Sequence, residues 1–450
     1  MTRPMVLLAA TLLVVEAGCG ASGSASGSRA TAEVVCPVHD LGDETVEVEL
    51  TLSGNLDIDR AEAMIERFHD SQDEVRVDAR ILDHQEPVDD LLARSAPGDG
   101  PALATVPADH LAALAAVGAI EPMAPCITAD AYGLDPFLPE ALTTGQLAGV
   151  QWAMPANVAT HVLVYDRDAF TRAGLDPARP PATLAELETA SAALRASGFE
   201  HPIWLPFLAD LVQASGLPYR DGARTGFEGP EGREIAEAVA RLGAAGYLLP
   251  EEPGGSGLPP IGEGRVAMQV DSLGGVWGLA DALAHGQAPG RHLDVAPLPG
   301  LHAAGSPVFA PNLLVLGAGV TPTQRAAAWR FVTWIEEPAN QADLHITTDL
   351  LPSGRDATRD DALAAYWDEL PLLRRAWQAM IASPRATSGD GVFPGALAIV
   401  HDALAAIAFE GAPASRLDEA AATAAEAIAA LDRWPRAYID CVRTEAGEEC

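Results

Sequence analysis

Residues Gly149 to Leu187 read GVQWAMPANVATHVLVYDRDAFTRAGLDPARPPATLAEL, and the order of residue types along this stretch decides the fold. An apolar, β-prone opening breaks at Pro155-Ala156-Asn157 and resumes as the strand Val162-Leu163-Val164-Tyr165. Asp166-Arg167-Asp168 is a polar turn, in which Asp168 can cap a short helix that ends at Gly174. Pro177, Pro180 and Pro181 make a stiff connector, since proline fixes its own φ and disfavours helix in the residue before it. Thr183 and Glu186 then form a Thr-x-x-Glu capping box for a helix from Leu184 to Ser197. A strand leaves one layered unit and feeds a second. The polar crossover from Asn157 to His161 marks the seam.

Upstream of the seam, Val46, Val48, Leu50 and Leu52 alternate with Glu47, Glu49 and Thr51, the pattern of a half-buried strand. Asp57 or Asp59 caps a helix with Ala61, Met64, Ile65 and Phe68 on one face. Val75, Val77, Ala79 and Ile81 alternate again, a helix follows from about Val88 to Ser95, and Ala102 to Val106 is a short buried strand before a helix from Ala108 to Val117. Strands alternating with helices at this spacing predict an open, largely parallel α/β sheet. Ligands of such sheets sit beyond the carboxyl ends of the strands. That rule makes Asn55, in the turn Ser53-Gly54-Asn55, and Asp109, in Pro107-Ala108-Asp109, candidates for one wall of a cleft; solvated turn residues are the plainer alternative for each.

The seam resembles the hinge of the family 1 extracellular solute-binding proteins, the substrate receptors of ABC importers. Members show a Tyr-Tyr-Asn-type strand end before Lys-Asp, then an Ala-Gly-Leu-Asp-Pro-Pro-x-Thr-x-x-Glu run. This chain has Val164-Tyr165-Asp166-Arg167-Asp168, then Ala173-Gly174-Leu175-Asp176-Pro177 and Pro181-Ala182-Thr183-Leu184-Ala185-Glu186. Further likenesses follow in the family's order. They are Gly118 to Met123, Gly262 to Asp271 with Trp277, the return strand Val295 to Gly300, and the closing segment Asn340-Gln341-Ala342 with Leu351-Pro352-Ser353-Gly354-Arg355. The helices Ala396 to Phe409 and Ser415 to Leu431 fit the family's last pair, so the likeness covers about Val46 to Trp434.

The resemblance implies an α/β fold of two lobes, each a mostly parallel sheet flanked by helices, joined by a hinge. Crossings are expected near Ala156 to Thr160, Val295 to Leu298 and Pro352 to Arg355. Residues 45–156 and 296–352 are then lobe 1, residues 157–295 and 353–435 are lobe 2, and 436–450 are a tail.

A formal net charge of −35 over 450 residues, with few lysines, argues against nucleic acid and anionic membrane surfaces, which need Lys/Arg neutralisation. Arg3, an apolar run from Met5 to Val15 and small residues before Cys19 read as an export signal over residues 1–18, too short to span a bilayer. Ala17-Gly18-Cys19 resembles a lipoprotein signal with Cys19 as the lipidated residue, although Glu16 departs from the usual Leu; ordinary secretion is the alternative. Residues 19–44, which include the tract GASGSASGSRA, are expected to be a flexible tether, placing the protein at the cell surface on the outer face of the cytoplasmic membrane. Cys36, Cys126, Cys441 and Cys450 make an even number in an exported chain and allow three connectivities; Cys36–Cys126 with Cys441–Cys450 is the preferred one. No paired-His spacing points to a metal site, and no cofactor motif is present.

A cleft receptor for a neutral sugar needs aromatic faces and hydrogen-bonding side chains. Trp152, Trp204 and Trp277 lie beside expected cleft loops; core packing is the plainer reading for Trp152 and Trp204. Trp277 follows the Gly-rich loop where the family resemblance implies ligand stacking, and Trp329 and Trp334 read as packing. Asp271-Ser272-Leu273-Gly274-Gly275 reads as a loop whose backbone can approach a ligand. Asn157, Asp271, Ser272, Asn312 and Arg355 are the polar candidates. The runs Ala153 to Val158 and Pro180 to Glu186 are closer to members importing glycerol-3-phosphate or glycerophosphodiesters; Thr160 supplies that subgroup's hydroxyl, while Leu350 stands where it has a tyrosine. No Gly-x-Ser-x-Gly elbow, His-Glu-x-x-His or phosphate-binding Gly/Lys loop occurs, so no enzyme is expected. The expectation is a monomeric receptor that closes on a carbohydrate or polyol and delivers it to ABC permease subunits. The alternatives are a glycerol-3-phosphate or glycerophosphodiester receptor and a surface interaction lipoprotein without transport.

Overall fold

The computed structural model describes residues 35–53, 58–82, 86–94, 100–147, 149–218, 225–250, 258–348, 350–386 and 394–432. The export signal, Cys19, most of the tether, Asn55, Cys441, Cys450 and the tail lie outside the described residues.

The strands are, in chain order, β1 (Val46–Ser53), β2 (Val75–Leu82), β3 (Leu103–Pro107), β4 (Ile120–Glu121), β5 (Gln146–Leu147), β6 (Val150–Gln151), β7 (Ala153–Pro155), β8 (His161–Asp166), β9 (Ile203–Trp204), β10 (Met268–Ser272), β11 (Leu293–Ala296), β12 (Ser306–Val308), β13 (Asn312–Gly317) and β14 (Pro384–Ala386). They form two main sheets. The first has the order β2-β1-β3-β13-β4, with β7 also paired to β13, and the second the order β11-β8-β10-β9.

In the first sheet β1 runs parallel to β2 and β3, as strand–helix alternation requires. Val48, Leu50 and Leu52 of β1 are buried, and all five residues of β3 are buried, the continuous apolar run of a strand covered on both faces. Helix Ile58–Ser71 lays Ala61, Met64, Ile65 and Phe68 against this sheet, where Phe68 meets Phe331 edge-on at 5.0 Å between centroids. Trp329 is part of the same core and donates its indole N–H to Asp130 Oδ2 at 2.9 Å. The disulfide Cys36–Cys126 ties the first described segment to helix Ala124–Ala129.

The second sheet departs from the expected direction. Only β9 and β10 are parallel; β8 runs antiparallel to both β10 and β11. The reason is topological: β8 enters this sheet from the seam and β11 heads back toward it. Neighbours that enter and leave by the same edge must run in opposite directions. For the same reason β13, returning to the first sheet, is antiparallel to β3. The second core gathers Leu163, Phe170, Leu187, Leu194, Ile235 and Val239, and the C-terminal helices Pro394–Ala405 and Arg416–Asp432 close over it with Leu404 and Leu417.

The capping boxes at Thr183/Glu186 and Thr321/Gln324 are both formed. The short helix after β8 is capped differently from the expectation: Asp166, not Asp168, accepts the amides of Asp168 and Ala169, each at 2.9 Å, because β8 ends at Asp166 and helix Arg167–Arg172 begins at once.

Three passages of chain run side by side at the seam. Val158 exchanges both backbone hydrogen bonds with Leu351 (2.9 and 3.0 Å), and Ala159 exchanges both with Phe309 (2.8 and 3.2 Å). The second passage therefore crosses near Phe309, not at Val295 to Leu298. Leu298 is buried in the second core and Gly300 O accepts the Leu184 amide at 2.8 Å, which keeps the segment after β11 with the second sheet until β12 has paired with β14.

Candidate functional site

β8 begins at the seam with His161, and β10 ends there with Asp271 and Ser272; the register sets Ser272 opposite His161 and Asp271 opposite Val162. Strand ends facing the seam thus bring together polar residues far apart in the chain. The His161 ring stacks on Phe207 at 4.0 Å between centroids and 10° between planes, and lies 5.6 Å from Phe309. Its Nδ1 is hydrogen-bonded to Oδ2 of Asp210, a buried residue that opens helix Asp210–Ala214.

Asp271 is buried and accepts the amide group of Gln269 and the backbone N–H of Ser272, the latter at 2.9 Å. Burial pushes its carboxyl up to about 6, against the opposing pull of those hydrogen bonds and of nearby His161. Gln269 is itself fixed, its Oε1 accepting the Ile261 amide at 3.1 Å. The segment after Asp271 is not the loop expected: Leu273–Ala284 is helix, with Ser272 as N-cap accepting the Gly275 amide at 3.3 Å. Gly275 serves Asp271 directly, since a Cβ there would run into the Asp271 carboxyl.

On the first-sheet side, β13 starts with Asn312 opposite Pro107 of β3, and the Asn312 carbonyl accepts the Ala156 amide at 3.1 Å. Asn157 therefore sits beside the start of β13, across that strand from β3. It is 7% exposed, and its Oδ1 has no hydrogen-bond partner. Asp109, two residues past β3, is exposed and bonded to His110 Nδ1 at 2.9 Å.

The other candidates divide. Thr160 is fully buried and its hydroxyl donates to the His161 carbonyl at 3.2 Å. Trp204 lies in β9 opposite Gln269, partly exposed beside the group. Trp277, one turn into the helix after Ser272, donates to Tyr366 Oη at 2.9 Å and packs on the apolar cluster under the seam. Trp152 is 1% exposed inside the first unit's core, so it packs rather than lining a cleft. Arg355 is exposed at the start of the 3₁₀ turn Arg355–Arg359, and Asp356 pairs with Arg359 instead.

Sequence reading missed His161, Phe207, Asp210 and Phe309. His161 stood in plain view at the head of a strand, but nothing in the sequence announces a partner 49 residues away. The arginines near β8 are at its far end, where Arg167 and Arg375 hold Asp294 at 2.6 and 2.5 Å and Arg291 meets Asp166 at 3.3 Å. Among the described residues no arginine pairs with Asp210 or Asp271.

The sequence profile of the bacterial extracellular solute-binding proteins matches residues 63–371 of this arrangement. The chain belongs to that family. As an extracellular solute-binding protein it is 26% identical, over 259 residues, to the sn-glycerol-3-phosphate-binding periplasmic protein UgpB of Salmonella paratyphi A, a match covering 54% of this chain. It spans only 58% of that relative's length. Two solved structures share the two-lobe fold. The sugar-binding protein MalE from Xanthomonas citri aligns with a TM-score of 0.72 at 18% identity, covering 87% of this chain and 99% of that one. UgpB from Mycobacterium tuberculosis, in complex with glycerophosphocholine, aligns with a TM-score of 0.66 at 18% identity and the same coverage. Among the described residues no helix of this solute-binding protein is long and apolar enough to cross a membrane, and no group of metal-ligating side chains occurs.

The His161–Asp210 pair raises the question of catalysis. Ser272 lies opposite His161, and its hydroxyl oxygen caps the following helix. The arrangement suits holding a solute, in keeping with a family of binding proteins.

Proposed function

We propose that this protein is the exported receptor of an ABC importer, capturing a neutral carbohydrate or polyol at the seam and delivering it to a permease. The single observation that carries the ligand class is the charge of the seam. Two buried carboxylates and one histidine meet there with partly exposed aromatic rings, and among the described residues no arginine is paired with those carboxylates. Aromatic faces suit the C–H surfaces of a sugar, and carboxylates and amides suit its hydroxyls. A phosphate brought to the same place meets like charge.

The relatives named for sn-glycerol-3-phosphate and glycerophosphocholine make a phosphate ester the second reading. Thr160 and Arg355 are the residues that reading needs, but the Thr160 hydroxyl is turned to a backbone carbonyl and Arg355 lies on the surface. In the domain assignment we favour, residues 45–156 and 312–348 form one lobe and 161–308 and 353–432 the other. Ligand bridging the lobes shifts an open–closed equilibrium, and the closed form docks on the permease. Lipidation at Cys19 holds the receptor at the outer face of the cytoplasmic membrane, and the protein acts as a monomer.

The test is thermal unfolding against neutral sugars, polyols, glycerol 3-phosphate and glycerophosphocholine. A ligand of the native state adds about 2.7 kcal/mol at 100 times its dissociation constant. A shift confined to the phosphate esters overturns the neutral-ligand reading.

A further inference from the structure

The chain of the seam carries hydrogen-bond acceptors that the protein itself leaves unfilled. Asp210 Oδ2 accepts the hydrogen bond of His161 Nδ1–H, and in the neutral ring so oriented Nε2 is a lone-pair acceptor. Stacking on Phe207 holds the ring in its plane, and Nε2 makes no hydrogen bond among the described residues. Along an extended run alternate residues share a face, so Asn157, Ala159 and His161 lie on one side of the seam. Asn157 is more than nine-tenths buried with its Oδ1 unpartnered, and Ala159 between the two is small. A buried acceptor without a partner is destabilising, and a donor brought by a bound solute relieves that.

Resting on the receptor reading above, we propose that His161, oriented by Asp210, and Asn157 determine specificity by accepting hydroxyl donors of the bound solute. The two acceptors select a ligand that brings O–H groups to both and discriminate against groups that can only accept, such as an ionised phosphate. Asp210 is a positioning residue: it sets which imidazole nitrogen faces the ligand. Phe207 and Phe309 supply the apolar walls against which the sugar's C–H face rests.

The experiment is calorimetric titration of the full chain and its variants with maltose, trehalose, raffinose, glycerol 3-phosphate and glycerophosphocholine. It is followed by monodeoxy forms of whichever sugar binds. The expected result is sugar binding that His161→Ala weakens at least tenfold, with His161→Gln recovering part of the loss. One monodeoxy sugar, penalised by the unmodified protein, is bound no worse than its parent by His161→Ala. Asn157→Ala levels a different deoxy position. Asp210→Asn keeps the volume and serves if His161→Ala does not fold; it is expected to weaken the same sugar without changing which deoxy position matters. Sugar binding that His161→Ala, Asn157→Ala and Asp210→Asn each leave within twofold overturns this inference while the receptor reading stands. Binding of the phosphate esters alone, or of nothing in the panel, overturns both.

Discussion

Glu336 Oε2 and Ser353 Oγ lie 2.5 Å apart, buried where the third passage of chain leaves the first sheet. Burial pushes the Glu336 carboxyl up to about 8, with the Ser353 hydrogen bond opposing. The Ser353 hydroxyl lies within hydrogen-bond reach of both Glu336 Oε2 and Gln341 Oε1, the latter at 3.0 Å, while the Ser353 amide donates to Gln341 Oε1 at 2.9 Å. Burial favours the protonated form of this carboxyl at the seam.

A raised carboxyl has a direction in pH. Folding favours the protonated form, so its contribution is fully present below about 4.5 and is lost as pH rises through about 8. Glu336→Gln keeps the shape and removes the titration. The variant's melting temperature is expected to gain on the parent steadily between pH 5 and pH 9, read by differential scanning calorimetry; parallel curves contradict a buried neutral Glu336.

His345 works in the opposite sense. Burial lowers it to about 4; its Nδ1 lies 2.5 Å from the Leu350 carbonyl and its Nε2 accepts the Trp367 indole N–H at 2.9 Å. The neutral ring is favoured by folding, so stability is lost as pH falls from about 6.5 through about 4. Trp367→Phe leaves Nε2 unpaired and is expected to cost about 1–3 kcal/mol at pH 7 in urea unfolding. A change under 0.5 kcal/mol contradicts the pairing.

Gly275 is constrained by its neighbour. Gly275→Ala drives a methyl into the Asp271 carboxyl, at a cost of about 1–3 kcal/mol for overpacking. It is expected to weaken ligand binding more than Gly278→Ala, a helix position with open space around it. Equal effects mean that Asp271 plays no part in binding.

Cys36 and Cys126 are 90 residues apart in sequence, and closing so long a loop restricts the unfolded chain. Replacing both by serine is expected to lower stability by about 2–5 kcal/mol without altering affinity for any ligand. Loss of affinity places the disulfide closer to the site than its position under the first sheet does.

Much of the fold was legible because local signals agreed with the final structure. The alternation in β1 and β2, the capping box at Thr183/Glu186 and the break at Pro155-Ala156-Asn157 depend on near neighbours only. Where the structure departed, the deciding contact was distant. The second passage moved to Phe309 because Gly300 is held by Leu184, and Gly274-Gly275 proved helical because Ser272 caps them. Trp152 looked like a cleft residue from its position beside the seam, yet its side chain turns into the first core. Placement at the seam was legible in Asn157, Asp271 and Asn312, which stand at or beside strand ends. It was not legible in Asp210 and Phe207, whose part depends on a helix folding back over His161.

Calorimetric titration of the unmodified chain with neutral sugars and with glycerol 3-phosphate, side by side at pH 7.5, tests the central claim most directly. Saturable one-to-one binding of a sugar, with no heat from the phosphate ester, is the predicted result. Binding of glycerol 3-phosphate in place of every sugar contradicts it.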